Sequence, residues 1–399
     1  MATNKTDKVL NVPTLRFPGF TDEWQKYSLG EYFTFKNGLN PDAKRIGRGV
    51  KFISVMDILN NNVITYSLIR DSVEATEDEI STYGVKYGDI LFQRSSETLE
   101  DVGHANVYLD DKAAVYGGFV IRGRAIKEYN PVFMKYALAS PINRKRIIVK
   151  GAGAQHFNIG QDGLSKVQVM LPDSKEQNRI AALFALLDER IALQSKLIED
   201  LKKLKSAIVE MLYVQSTSKI RLGAVIKQVS IINRNGSDRK VMSVNNKYGF
   251  IAQSEQFEER LVASEDTSNY KVIVPGIFAY NPARINVGSI AQYNGDKPCV
   301  VSPMYICFEC EEKVIGAYLE HFFSTKYFHK EMEKRLEGSV RLCLSFEALC
   351  NISISLPPKE QQQKYAQVVG RILEQISTET DILQAYQKQK SYLLSAMFI

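Results

Sequence analysis

Arginine, asparagine and glutamine side chains recur in short clusters along this chain, and their donor patterns suit the edges of nucleobases. Lys44, Arg45 and Arg48 form one cluster; Gln93, Arg94 and Ser95 a second; Gln155, His156 and Asn158, beside Lys150, a third. In the second half the clusters are Arg234, Arg239 and Lys240; then Asn281, Arg284 and Asn286; then Arg341 with Arg335. Arginine can present two donors to guanine, and asparagine or glutamine a donor–acceptor pair to adenine, whereas lysine mostly meets phosphate. Taken singly, each is an ordinary solvated loop residue. Gln93-Arg94-Ser95 and Asn281–Asn286 both follow a glycine-marked strand, and this parallel placement raises them above the rest.

The familiar catalytic signatures are absent from the sequence. The chain has no Gly-Lys dipeptide and hence no phosphate-binding loop for ATP, and no Gly-x-Ser-x-Gly or His-Glu-x-x-His. It also lacks the Asn- or Asp-Pro-Pro-aromatic motif of amino-methyltransferases. Cys307 and Cys310 make a lone CxxC in the strand-like MYICFECEE, where positions three apart point to opposite faces. All five cysteines lie in the second half, which argues for buried thiols rather than a zinc site or a disulfide framework. The sequence predicts no catalytic residue, bound cofactor or metal.

At 399 residues the chain is long for one core and favours two or more domains. A hydrophobic share of 45% with 24% charged residues is that of a globular protein. No apolar run approaches a membrane span and no secretory signal opens the chain, so cytoplasm is the expected address. The net charge is +6, and the stretches 173–215 and 358–399 are nearly balanced. The positive excess therefore falls in the globular parts, where a polyanionic partner would bind.

The elements that must position those clusters are arranged as a repeat. LPDSKEQ from Leu171 and LPPKEQ from Leu356 each open a long helical pattern, which closes at Met211 and Tyr213 in one case and at Met397 and Phe398 in the other. At an offset near 185, Gly153 matches Gly338, Leu164 matches Leu349, and FMKYALAS from Phe133 matches YLEHFFST from Tyr318. FISVMDI from Phe52 resembles VMSVNNK from Val241, and Leu29-Gly30 resembles Leu222-Gly223. The expected fold is α+β: two similar globular α/β domains separated by two long helices packed as an antiparallel coiled coil, with a pseudo-two-fold internal repeat.

The predicted boundaries are 1–172 for the first domain, with an extension over 1–23; 173–215 for the first helix; 216–357 for the second domain; and 358–399 for the second helix. Heptad steps through Ile180, Leu187, Gln194, Leu201 and Ile208, and through Phe184, Ile191, Ile198, Lys205 and Leu212, make a broad apolar stripe, with Leu183, Leu197, Leu204 and Met211 beside it. The second stripe runs through Ile372, Ile376, Leu383, Tyr386, Leu393 and Met397, interrupted by Glu379 and Lys390. Each domain is also predicted to carry a helix, near 131–147 and 314–336.

The repeat, the LP…KEQ helix openings and PTLRFPGFTDEW (Pro13 to Trp24) followed by Leu29-Gly30 together resemble the specificity subunits of type I restriction–modification systems. The resemblance spans nearly the whole chain. It implies a non-catalytic bacterial subunit that binds double-stranded DNA, each target-recognition domain reading one half of a split, asymmetric target. It also implies two methylation subunits that use S-adenosylmethionine, and restriction (motor–nuclease) subunits that use ATP and magnesium. Paired helices would set the gap between half-sites and dock the partners. Lys175-Glu176-Gln177 and Lys359-Glu360-Gln361 match the family's helix-start motif, and Tyr386, Tyr392 and Phe398 are expected to be exposed for partner contact. The rival readings are a stand-alone or fused restriction methyltransferase or nuclease, and a bundle-mediated scaffold with no DNA role.

Overall fold

A computed structural model describes residues 11–153, 156–214, 219–234, 239–246, 248–253, 266–338 and 341–399. The chain divides into two compact units, one of residues 1–195 and 382–399, the other of residues 196–381. Each unit thus holds one β-rich body and a part of both long helices.

In the first unit a four-stranded antiparallel sheet has the order Phe33–Asn37, Val120–Ala125, Ile90–Gln93, Ala105–Val107. A three-stranded sheet beside it pairs Ile46–Ile53 antiparallel with Asp71–Val73 and parallel with Ala114–Tyr116. The second unit repeats the main sheet as Ile226–Val229, Ile306–Cys310, Phe278–Tyr280, Ile290–Gln292, also antiparallel throughout. The parallel pairing of the side sheet survives there as a bridge between Val241 and Val300. A short pair closes each body, Gln25–Ser28 with Gln168–Leu171 and Lys219–Arg221 with Ser353–Ser355. Tandem copies of one mixed α and β unit, expected from the repeat, are what the topology contains.

The long helices are Ser174–Val214, of 41 residues, and Lys359–Ala396, of 38. Both start just past the Leu-Pro steps because proline has no N–H to give to a helix interior. Asp173 caps the first by accepting the Glu176 N–H at 2.8 Å. In the first unit Ile180, Phe184 and Leu187 share a core with Leu393 of the other helix and with Met397 and Phe398 just past its end, together with Trp24 and Phe133. The Asp188 carboxylate meets the Lys390 ammonium at 2.5 Å and accepts the Tyr136 hydroxyl. In the second unit Val209 and Tyr213 close the same core as Val369, with Tyr365 packed against it. Opposite ends of the two helices therefore meet in each unit, as antiparallel pairing requires.

Three sequence expectations need correction. The predicted single helices are pairs, Pro131–Ala139 with Pro141–Ile148 and Gly316–Phe322 with Lys326–Glu333. Ser140 and Thr325 interrupt them by capping the second helix of each pair through Asn143 and Phe328 N–H. Phe398 is buried rather than presented to a partner, because it fills the space between Trp24, Phe133 and Phe184. Tyr386 is half-buried against the same core, and only Tyr392 of that trio is exposed. Leu197, Leu204 and Met211, expected beside the packed stripe, lie exposed.

The helix-start motif acquires a physical role. Glu176 is buried and holds Arg16 at 2.7 Å and the Trp24 indole N–H at 3.2 Å, so it fastens the N-terminal extension to the helix. The Gln177 side-chain Oε1 accepts the Asn130 N–H at 3.0 Å while its Nε2 donates to the Pro172 carbonyl. Its counterpart is Gln362, which accepts the Ile315 N–H at 2.9 Å and donates to the Pro357 and Lys313 carbonyls. Gln361, the counterpart expected from the motif, is exposed.

Candidate nucleic-acid interface

Gln93 ends the strand Ile90–Gln93 opposite Val120, and its amide turns back to donate to the Ser95 carbonyl at 2.9 Å. Its Oε1 is buried and meets no hydrogen-bond donor among the described residues. Such a bare acceptor is costly unless something fills its place. Arg94 is fixed by its backbone N–H on the Phe119 carbonyl at 2.8 Å and by its guanidinium on the Gly118 carbonyl at 3.3 Å. Ser95 and Ser96 then pair with Asn158 and Phe157, and the Ser95 hydroxyl bonds to the Asn158 side chain. Folding thus brings the second and third sequence clusters together, with His156 exposed at the adjoining turn. Gln155 lies outside the described residues.

The first cluster sits differently. Arg45 is paired with Glu79 and bonded to the Glu74 carbonyl at 2.8 Å, and Arg48 is paired with Glu74 at 2.6 Å. The hydrogen bond to Glu79 raises the Arg45 pKa, so its charge is permanent but locally matched. Lys44 is exposed. Ile46, between the arginines, lines an apolar cleft of about 420 Å³ together with Gly118 and Phe119, and this places the segment beside the Arg94 turn.

In the second unit Asn281, Arg284 and Arg341 share a cleft of about 650 Å³ with Gln253, Ser302 and Met304. Asn281 holds its own loop by accepting the Ala283 N–H at 3.1 Å, while Arg284 and Asn286 are exposed on the turn that follows. The Gln253 Oε1 is buried without a donor among the described residues, and nothing in the sequence had marked it. Arg239 is tied to the buried Asn233 at 2.9 Å, and Arg234 is exposed nearby in the chain. Lys240 lines a separate cleft with Lys205 and His321, so this cluster does not join the others.

The two sites correspond. Phe92 and Tyr280 face Ile121 and Ile306 in the same register, which makes Gln93 and Asn281, the residues that follow, equivalent. The bridges Ala152–Asn158 and Glu337–Cys343 close matching loops. Gly153 and Gly338 open them at φ +145° and +125°, where a Cβ would lie 2.0 Å from the His156 carbonyl oxygen and 2.3 Å from that of Arg341. His156 and Arg341 are thereby equivalent as well. Each unit sets an amide side chain at the end of one strand, buried at Gln93 and half-buried at Asn281, and exposes a basic or imidazole side chain from one glycine loop.

A sequence model described as the type I restriction modification DNA specificity domain matches residues 21–203 and again residues 226–388. The chain belongs to that family. Its two specificity domains have relatives of known naming. The type I restriction enzyme EcoKI specificity subunit of Escherichia coli K12 is 30% identical over 161 residues, which is 38% of this chain and 34% of that one. A putative type I restriction enzyme MjaX specificity subunit of Methanocaldococcus jannaschii is 20% identical over 94% of this chain and 93% of its own. Among solved structures, the S subunit of a type I restriction–modification system from M. genitalium superimposes with a TM-score of 0.59 at 16% identity, covering 97% of this chain and 99% of that one.

Other chemistry is weakly provided for. Among the described residues no cluster of three or more His, Cys, Asp or Glu side chains is placed to hold a metal, and no helix is long and apolar enough to cross a membrane. Cys307 is buried and its thiol is pushed up to about 11 by that burial, while Cys310 reaches about 12 for the same reason. Neither favours the thiolate that metal binding needs.

Proposed function

We propose that this chain is the specificity subunit of a type I restriction–modification enzyme and reads a bipartite, asymmetric target in double-stranded DNA, one half-site per specificity domain. The observation that carries the reading is the repeat at atomic detail. Gln93 with Arg94, and Asn281 with Arg284, follow equivalent strands of equivalent sheets while the surrounding loops differ. Two scaffolds of one topology with different polar tips suit two different sequences. Residues 1–172 and 216–357 are taken as the recognition domains and 173–215 and 358–399 as the spacers.

Lys44, Arg45, Arg48, His156, Arg234, Arg239, Lys240 and Arg341 are proposed as flanking contacts to phosphate or base. The chain itself performs no catalysis and holds no cofactor. Two methylation subunits supply S-adenosylmethionine chemistry, restriction subunits supply ATP- and magnesium-dependent cleavage, and the assembly works in the cytoplasm. Mapping methylated adenines in a host with and without the chain tests the reading. A two-part motif should vanish on deletion. A motif that persists, or methylation by the purified chain alone, would overturn it.

A further inference from the structure

Both units expose a large apolar side chain at the same turn. Phe119 is 69% exposed and Met304 is 60% exposed, and they occupy equivalent positions between equivalent strands. The same hydrogen bond closes both turns, from the Val120 N–H to the Gly117 carbonyl at 2.9 Å and from the Tyr305 N–H to the Ser302 carbonyl at 3.1 Å. Single exposed apolar residues are common, but these two sit at one repeated place on rigid backbone.

The first turn is unusually constrained. A Cβ on Gly38 would lie 2.1 Å from the Gly117 carbonyl oxygen, so only glycine lets these two backbone segments touch, while one on Gly118 would displace the Asn40 side chain. The Phe119 carbonyl also accepts the Arg94 N–H. The ring is therefore held outward by backbone bonds and borders an apolar cleft with Ile46 and Met56. Met304 lies in the cleft of Arg284 and Arg341, and its sulfur accepts from the Asn281 amide at 3.6 Å.

An apolar group set among arginines and amides calls for a ligand that carries both kinds of surface. The major-groove edge of DNA offers one apolar group, the 5-methyl of thymine, beside the acceptors that arginine and amides read. We propose that Phe119 and Met304 are the apolar readers of the two specificity domains, each packing on a thymine methyl group in its own half-site. This rests on the DNA-reading function proposed above and names the chemistry of the recognised base.

The test uses the full chain with its methylation subunits and duplexes carrying the mapped target, in which each thymine in turn is replaced by uracil. Removing one buried methyl should weaken binding by about fourfold. At one position of one half-site the loss should disappear in Phe119→Ala, and at one position of the other half-site in Met304→Ala. Uracil at every position bound as well as thymine by the wild type would overturn the inference while leaving sequence-specific binding, and hence the proposed function, intact. A Phe119→Ala variant that keeps the full uracil penalty would also overturn it, as would one that loses methylation subunits and not DNA. Phe119→Leu, which keeps apolar surface, should retain part of the penalty. Absence of any sequence preference in the wild type would instead sink the proposed function itself.

Discussion

His321 shows how a residue outside the reading loops sets the conditions under which they are held. It lines the cleft with Lys205 and Lys240, and burial, aided by the Lys205 ammonium, pushes its pKa down to about 4. The unfolded chain would bind the same proton near 6.5. Between those values the unfolded state carries more protons, so stability falls as pH drops from 6.5 to about 4. The adjacent Glu320 carboxyl is raised by burial and acts in the opposite sense, taking up its proton more readily when folded. Thermal melts should therefore show a shallower loss of stability across that window in His321→Gln than in the wild type. Equal slopes would show that the imidazole is not the responsible group. Arg94 answers to a different test: Arg94→Ala should weaken specific binding by about 1–3 kcal/mol and relax one base of the first half-site, measured by competition between target and single-mismatch duplexes.

At the level of elements, the long helices were the most legible part of the sequence. Heptad spacing and the Leu-Pro steps placed both, since a sustained apolar stripe without internal proline has few other ways to fold. The repeat also exposed the paired sheets, because glycine and strand patterns recur at nearly constant offset. The motif's purpose was hidden: that Glu176 clamps Arg16 and Trp24, and that Gln362 rather than Gln361 mirrors Gln177, depends on contacts between distant segments. The same holds for Phe398, whose aromatic type suits a surface or a core equally well. Among the reading candidates, Arg45 and Arg48 looked as free as Arg94, and only folding shows Glu79 and Glu74 beside them. If the helices set the half-site gap, four residues inserted after Ser195 add one turn, about 6 Å of rise, against about 3.4 Å per base pair. The methylated motif of that variant should widen by one or two base pairs, and an unchanged gap would dismiss the ruler.

For the molecule as a whole, duplication makes two bodies with separate cores and equivalent tips. Substitutions in different bodies that share no partner should combine independently. The binding losses of Arg94→Ala and Arg284→Ala are accordingly expected to sum to within about 0.5 kcal/mol in the double variant. A larger discrepancy, measured as a double-mutant cycle on the full target, would mean that one reader reshapes the other.

The core of the first unit has a further consequence for how the protein is made. Trp24 and Phe133 are covered by Leu393, Met397 and Phe398, and Thr14 bonds to Ala396, 382 positions further along the chain. A ribosome delivers those covering side chains only after all of residues 196–381, so the body begun first must wait, partly unsealed, while the other can already close. Loop-closure entropy of that size slows the joining step and leaves apolar surface open to aggregation in the meantime. A premature stop codon a few triplets upstream of Leu393 would thus injure the half of the protein whose code was read earliest.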